Sequence, residues 1–230
     1  MRSFVLPALF CMLLSTAAFG DVLITEINSK SHPDQEDFFE LTNLGDTALD
    51  ITGWRFDDES EDFVESVPLI GITMIDPGES VVFFQLDEDD PTDPDYDPAG
   101  EMTSFVTAWG GLAGVQVGYH AGSGMGKGDA ATIFLPDETI VAQLAYGDGE
   151  LTDPSDLIDD THAGKWAGGD DWDSAIWVPG SDPATYVAAA EGVYGSFKNV
   201  FSDYGSPGLV PEPATLALLL VSAALVRGRR

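Results

Sequence analysis

The stretch FFELTNLGDTALDITGW, residues 38–54, decides how this chain folds. Side chains alternate faces along an extended strand, so Phe39 and Leu41 share one face and Phe38, Glu40 and Thr42 share the other. Asn43-Leu44-Gly45-Asp46 follows, a run of residue types that turn tightly and tolerate positive φ. Leu49 and Ile51 then resume the alternation up to Gly53-Trp54. Trp54 reads as the largest core side chain, beside a glycine that lets a neighbouring strand approach. A platform for stacking sugars is the other role open to Trp54.

Working outward, the same period of two recurs. Val22 to Ile27 is a β-branched run, and Val81-Val82-Phe83-Phe84 is apolar on both faces, as in a strand covered on both sides. Ala131, Ile133 and Leu135 alternate, as do Ile140, Ala142, Leu144 and Tyr146, with Pro136-Asp137-Glu138 between them as a hairpin turn. Such strands separated by turn residues predict an all-β sandwich or barrel. No stretch between the two ends of the chain sustains a helical period over about eleven residues, the shortest window in which that period is legible, so helices are expected only in short terminal segments.

Composition narrows the function. Between Asp21 and Leu209 the basic residues are Lys30, Arg55, Lys127, Lys165 and Lys198, while all but one of the chain's 40 acidic residues lie there. The formal net charge of the whole chain is −31. Such a field repels nucleic acid, whose binding needs clustered Lys and Arg, and it favours cations and basic partners. The one cysteine, Cys11, lies near the N-terminus, so the rest of the chain has neither disulfides nor thiolate zinc sites.

The two ends read as address labels. Arg2, the apolar run Phe4 to Leu14 and the small-x-small triplet Ala18-Phe19-Gly20 form the anatomy of a secretory signal peptide over residues 1–20, with cleavage expected between Gly20 and Asp21. At the other end, Val210-Pro211-Glu212-Pro213 precedes an uncharged run from Ala214 to Val226 and the closing Arg227-Gly228-Arg229-Arg230. That apolar run spans roughly 20 Å as a helix, short of the ~30 Å hydrocarbon core, so a transient stop fits better than a permanent anchor. The basic end would hold the C-terminus on the cytoplasmic side. Residues 210–230 resemble a PEP-CTERM sorting signal, with Pro211, Glu212 and Pro213 as its motif. The resemblance implies a Gram-negative envelope and, as partner, an exosortase-type membrane protease that removes the tail.

The middle of the chain, residues 21–209, resembles a lamin tail domain. The carrying motifs are Ile24-Thr25-Glu26-Ile27, Glu40-Leu41-Thr42-Asn43, Ile51-Thr52-Gly53-Trp54, Asp76-Pro77-Gly78 before Val81, and the closing Ser206-Pro207-Gly208. The resemblance implies an immunoglobulin-like β-sandwich in which Glu26, Glu40, Asn43, Gly53, Trp54, Pro207 and Gly208 are structural motif positions. Two segments depart from the pattern: an acidic insertion, Asp87 to Glu101, and a long loop region, Gly147 to Asn199.

A search for chemistry finds little. His32, His120 and His162 share no metal-site spacing and read as surface or turn residues. Residues 121–129, AGSGMGKGD, lack the first glycine and the Ser/Thr of a phosphate-binding loop and read as a flexible glycine loop. Calcium is the one cofactor with a case: Asp93, Asp95 and Asp97 stand two apart in the acidic insertion, although Pro98 occupies the position where an EF-hand requires glycine. A solvated acidic loop is the alternative. With no catalytic set, the reading is a non-enzymatic binding or structural module of the cell envelope or exopolysaccharide matrix, meeting a polysaccharide or envelope protein through the region of Trp166, Trp172 and Trp177. The alternative is a calcium-dependent hydrolase acting on extracellular polysaccharide or phosphoesters, since two carboxylates suffice for glycoside hydrolysis.

Overall fold

The computed structural model describes residues 22–29, 36–58, 60–87, 90–122, 124–126, 129–146, 173–181 and 186–209. The first strands are β1 (Val22–Asn28), β2 (Phe38–Asn43), β3 (Leu49–Asp50), β4 (Arg55–Asp57), β5 (Val67–Pro68), β6 (Met74–Ile75) and β7 (Ser80–Gln85). A helix, α1 (Pro98–Ala108), precedes β8 (Gln116–His120), β9 (Asp129–Phe134) and β10 (Ile140–Tyr146). The rest are β11 (Ala175–Trp177), β12 (Tyr186–Ala188), β13 (Phe197–Lys198) and β14 (Tyr204–Gly205).

Two sheets carry the fold. One runs β12-β11-β1-β2-β7-β8 and the other β10-β9-β4-β5, with β3-β6 and β13-β14 as small ribbons. Their facing sides close over one apolar core in which Ile24, Ile27, Phe39, Leu41, Phe83, Trp54, Phe56 and Ile133 are buried. Phe39 stacks between Phe56 across the sheets, at 5.2 Å between ring centres, and Phe83 on the adjacent strand, at 5.7 Å. This is the expected all-β sandwich, and the alternation read in residues 38–42 and 131–135 is the alternation that packs.

Several local readings change. Ile51-Thr52-Gly53-Trp54 is a turn between β3 and β4, not a strand: Trp54 N donates to Ile51 O at 3.1 Å, and Gly53 sits at φ +78°, against Pro136. Trp54 itself is buried in the core, as expected. The turn after β2 does not rely on positive φ at residues 43–46. The Asn43 side chain builds it instead, accepting from Gly45 N at 2.9 Å and donating to Thr47 O at 2.8 Å and Ile75 O at 3.0 Å.

The third change is α1, eleven residues long, where no helix is expected. Its apolar residues are few, so the helical period is faint. Asp97 caps its N-terminus, Pro98 takes the first turn where its missing N–H is harmless, and Phe105 and Trp109 seat it. The helix belongs to a crossover, because β8 runs parallel to β7 and parallel neighbours need a long connection. It lies on the outer face of the larger sheet, where Phe38, Val82, Phe84, Leu86, Phe105 and Trp109 form a second core. Val81 to Phe84 is therefore covered on both sides, as its sequence predicts. The region 173–199, read as loop, likewise supplies β11, β12 and β13, and β11 pairs with β1. Trp177, placed on a binding surface by the sequence, is buried in the main core.

Replacing Phe39 with alanine removes the ring that joins both sheets. The expected cost is about 3–5 kcal/mol, as for other buried Phe-to-Ala changes, measured by urea unfolding of the wild type and the variant.

Candidate functional site

The most unusual chemistry lies on the outer face of the larger sheet, beside α1. The strand β1 carries a bulge: Ile24 pairs with Leu41 and Glu26 with Glu40, leaving Thr25 as the extra residue. In a regular strand Ile24 and Glu26, two positions apart, would share a face. With the bulge, Ile24 and Ile27 both reach the main core, while Glu26 stands opposite Glu40 on the outer face. Side chains directly opposed on neighbouring strands lie about 5 Å apart at Cβ. Both carboxylates are buried, at 1% exposure each.

The C-terminal strap, residues 203–209, closes over them. Ser206 donates its backbone N–H to both Glu26 oxygens, at 2.9 and 3.0 Å, and its hydroxyl to Oε2 at 2.8 Å. Gly208 N donates to Glu40 Oε2 at 2.6 Å. The Glu40 Oε1 oxygen accepts from Thr25, and a hydroxyl chain runs on from Thr25 to Thr42 at 2.6 Å and from Thr42 to Ser80 at 2.5 Å. Burial, and next the charge of Glu26, raise the Glu40 pKa from 4.5 to about 8, against the pull of the Thr25, Gly208 and Ser80 hydrogen bonds. The strap fits closely: a Cβ on Gly205 would stand 2.6 Å from Glu26 Oε1 and 2.7 Å from the Trp109 ring. Gly208 adopts φ +78°, a conformation glycine takes without penalty, with the Val115 side chain where a Cβ would go.

The other motif positions are dispersed. Asn43 holds the turn after β2, and Gly53 and Trp54 hold the turn before β4. Glu26, Glu40, Pro207 and Gly208 stand as separate motif residues in the sequence, and the fold brings Glu26, Glu40 and Gly208 together. Ser206 as the principal donor and the bulge at Thr25 are not visible in the sequence, because nothing in a period-two pattern marks an inserted residue. Gly20, Asp21, Pro211, Glu212, Pro213, Trp166, Trp172, His32 and His162 lie outside the described residues.

Asp93 Oδ1 accepts from Asp95 N at 2.8 Å, and Asp97 Oδ1 accepts from Gly100 N at 3.0 Å as the α1 cap. These carboxylates are turned to the local backbone. Among the described residues, no three His, Cys, Asp or Glu side chains come together as a metal site. The insertion is fastened at its base instead, where Asp87 N donates to Glu101 Oε2 at 2.9 Å. Nearby, burial and then the charges of Asp87, Glu101 and Asp37 raise the Glu36 pKa to about 7, against a hydrogen bond from its own backbone.

His120 is a core residue, not the surface residue expected. Its ring lies 4.1 Å from that of Phe56, and burial lowers its pKa to about 3, so it is neutral. A recess with a cavity volume of about 10 Å³, lined by Phe56, Asp57, Asp58, Glu65, Val67 and Gly122, opens at the same end of the sandwich. It falls below the several hundred Å³ of an ordinary small-molecule site. The glycine loop 121–129 carries the chain between the two sheets. It is held where Met125 N donates to Asp37 Oδ2 at 3.1 Å and where Gly126 N donates to Asp129.

With two facing sheets, the Glu-Leu-x-Asn strand and its asparagine-built turn in place, the fold can be compared with known families. The lamin tail domain model matches residues 15–148. The chain belongs to the lamin tail domain family. The matched span ends just after β10, so β11 to β14 and the strap over Glu26 and Glu40 lie beyond it, although β11 and β12 extend the same sheet. Among curated proteins, none matches the chain.

Asn43→Ala would leave the Gly45 N–H and the Thr47 and Ile75 carbonyls without their partner. A loss of about 1–3 kcal/mol is expected, read by thermal or urea unfolding. The same substitution in a turn governed by backbone conformation alone would change stability little.

Proposed function

We propose that this lamin tail domain is an exported, non-enzymatic module that works at the cell envelope or in its polysaccharide matrix. An immunoglobulin-like domain of this family is a binding or structural module. The observation that supports the non-enzymatic part is the state of a buried carboxylate pair: Glu26 and Glu40 are sealed under Ser206 and Gly208, with their oxygens occupied by the chain's own N–H and O–H groups. A pair serving glycoside hydrolysis has to face a sugar and a water. Export and sorting are supported by the sequence of the ends, with Ala18-Phe19-Gly20 before Asp21 and Pro211-Glu212-Pro213 before a short apolar run and an arginine cluster. No helix among the described residues is long and apolar enough to cross a membrane.

In this reading an exosortase-type protease removes residues after the Pro-Glu-Pro motif. The freed domain then presents its acidic loops to a polysaccharide or to a basic envelope partner. The strongly negative surface favours partners that carry cations or basic groups and disfavours nucleic acid.

The test is processing in the producing cell. The intact chain is expected to lose its tail and leave the cytoplasmic membrane, whereas a chain with Pro211, Glu212 and Pro213 replaced by alanine stays full-length and membrane-associated. Identical mass and fractionation of the two would overturn the sorting reading. Purified domain titrated with the cell's own exopolysaccharide is expected to bind saturably, with no release of reducing sugar; turnover would overturn the non-enzymatic part.

A further inference from the structure

We infer that Glu26 and Glu40 form a proton-operated latch, closed on the C-terminal strap while the pair holds a proton between them and released when that proton is lost. The inference is independent of export and sorting.

The geometry sets up the device. Two carboxylates stand opposite one another on adjacent strands, both buried, in register across β1 and β2. Two like charges so placed repel strongly in a medium less polarisable than water, so one proton is retained. Every bond joining the strap to the pair uses residues 206–208, and each spans well over a hundred positions in sequence. When the strap lifts, both carboxyls meet water and the repulsion falls away.

The titratable groups on the packed elements are few. Strand β2 contributes Glu40 itself, and β1 contributes Glu26. The strap contributes Asp203, which accepts from Asn199 Nδ2 at 3.2 Å, and Tyr204, whose ring has the Lys198 ammonium over it at 5.1 Å, and the segment before β11 contributes Asp173, which accepts from Tyr204 N at 2.7 Å. Further contacts come from the neutral groups Thr25, Thr42, Ser80, Ser174 and Trp109. Of these groups it is the charge of Glu26 that, after burial, acts on Glu40.

The sign follows from linkage. Glu40 binds its proton more tightly in the closed form, with pKa about 8, than in an open form near the ordinary 4.5. Closure is therefore strongest below the ordinary value and weakens as pH rises towards 8. Between those limits opening releases one proton, so the opening equilibrium grows about tenfold per pH unit. Above about 8 it no longer changes for this reason.

Hydrogen exchange on the full chain tests the latch. Protection of the Ser206 and Gly208 amides, corrected for the intrinsic pH dependence of exchange, is expected to fall about tenfold per unit between about pH 5.5 and 7.5, beyond any fall at the β7 amides. In Glu40→Gln, which keeps an acceptor for Gly208 and carries no charge, the excess slope is expected to vanish. A wild-type strap that follows β7 at every pH, or a Glu40→Gln strap that keeps the full slope, would falsify the latch. Should Glu40→Gln fail to fold, infrared spectroscopy of Glu36→Gln decides, because Glu36 in the wild type would also be protonated near pH 6. A protonated-carboxyl band present near pH 6 and lost above about pH 9 supports the latch, and its absence near pH 6 sinks it.

Discussion

Every residue of β2 is buried, on both faces, and much of the rest of the molecule answers that constraint. Phe39 and Leu41 are satisfied by the second sheet. Phe38 on the reverse side needs an apolar lid, and Glu40 and Thr42 beside it need polar partners, because a buried carboxyl without hydrogen bonds costs several kcal/mol. The two requirements divide the outer face between two covers. Phe105 and Trp109 of α1 close the apolar part, with Phe38 edge-on to both rings at about 5.5 Å. The strap closes the polar part. Trp109 touches both, since Gly205 of the strap packs against its ring.

This division explains why segments distant in sequence are needed to finish the fold. The crossover that carries α1 can exist only because β8 returns parallel to β7, and the same connection holds the acidic insertion clear of the core. The strap reaches β1 and β2 after the chain has extended their sheet with β11 and β12. Closure of the strap thus joins positions well over a hundred residues apart, against the entropy of closing so long a loop. The matched span, residues 15–148, holds the two-sheet core and α1, while among the described residues beyond it β11 and β12 extend the larger sheet and the strap covers Glu26 and Glu40 on its outer face.

The sandwich was legible from residues because its signal is local. Alternation at Phe39 and Leu41, at Ala131 and Ile133, and the two-faced run from Val81 to Phe84 each state which sides of a strand meet apolar partners. The motif glutamates were legible as positions but not as a pair. Their meeting depends on the one-residue bulge at Thr25, which reverses the phase of everything after it, and no periodicity announces such a shift. The helix was hidden for a related reason. It is seated by few apolar residues and started by Asp97 and Pro98, inside a run whose aspartates at spacing two looked like calcium ligands. The same side chains serve as turn and cap acceptors, a use that carboxylates near backbone N–H groups share with metal binding. Spacing alone does not separate the two.

Displaced pKa values are often taken as a mark of catalysis, and Glu40 has one. What decides between chemistry and architecture here is the identity of the donors. A catalytic carboxyl keeps an oxygen for substrate, whereas at Glu40 one oxygen accepts from Thr25 and the other from the Gly208 backbone, and at Glu26 both accept from Ser206. Apart from Thr25 on β1, these donors come from the segment that must be fastened, so the free energy of the pair is coupled to closure of the strap. Two acids where an amide pair would hydrogen-bond as well make that coupling depend on a proton. The rest of the chain, with its large excess of acids, adds a negative field that holds the shared proton more firmly still. The acidity that reads at first as surface solvation therefore acts in the same direction as the burial: both favour the protonated form of the pair, and so both make closure of the strap depend on that proton.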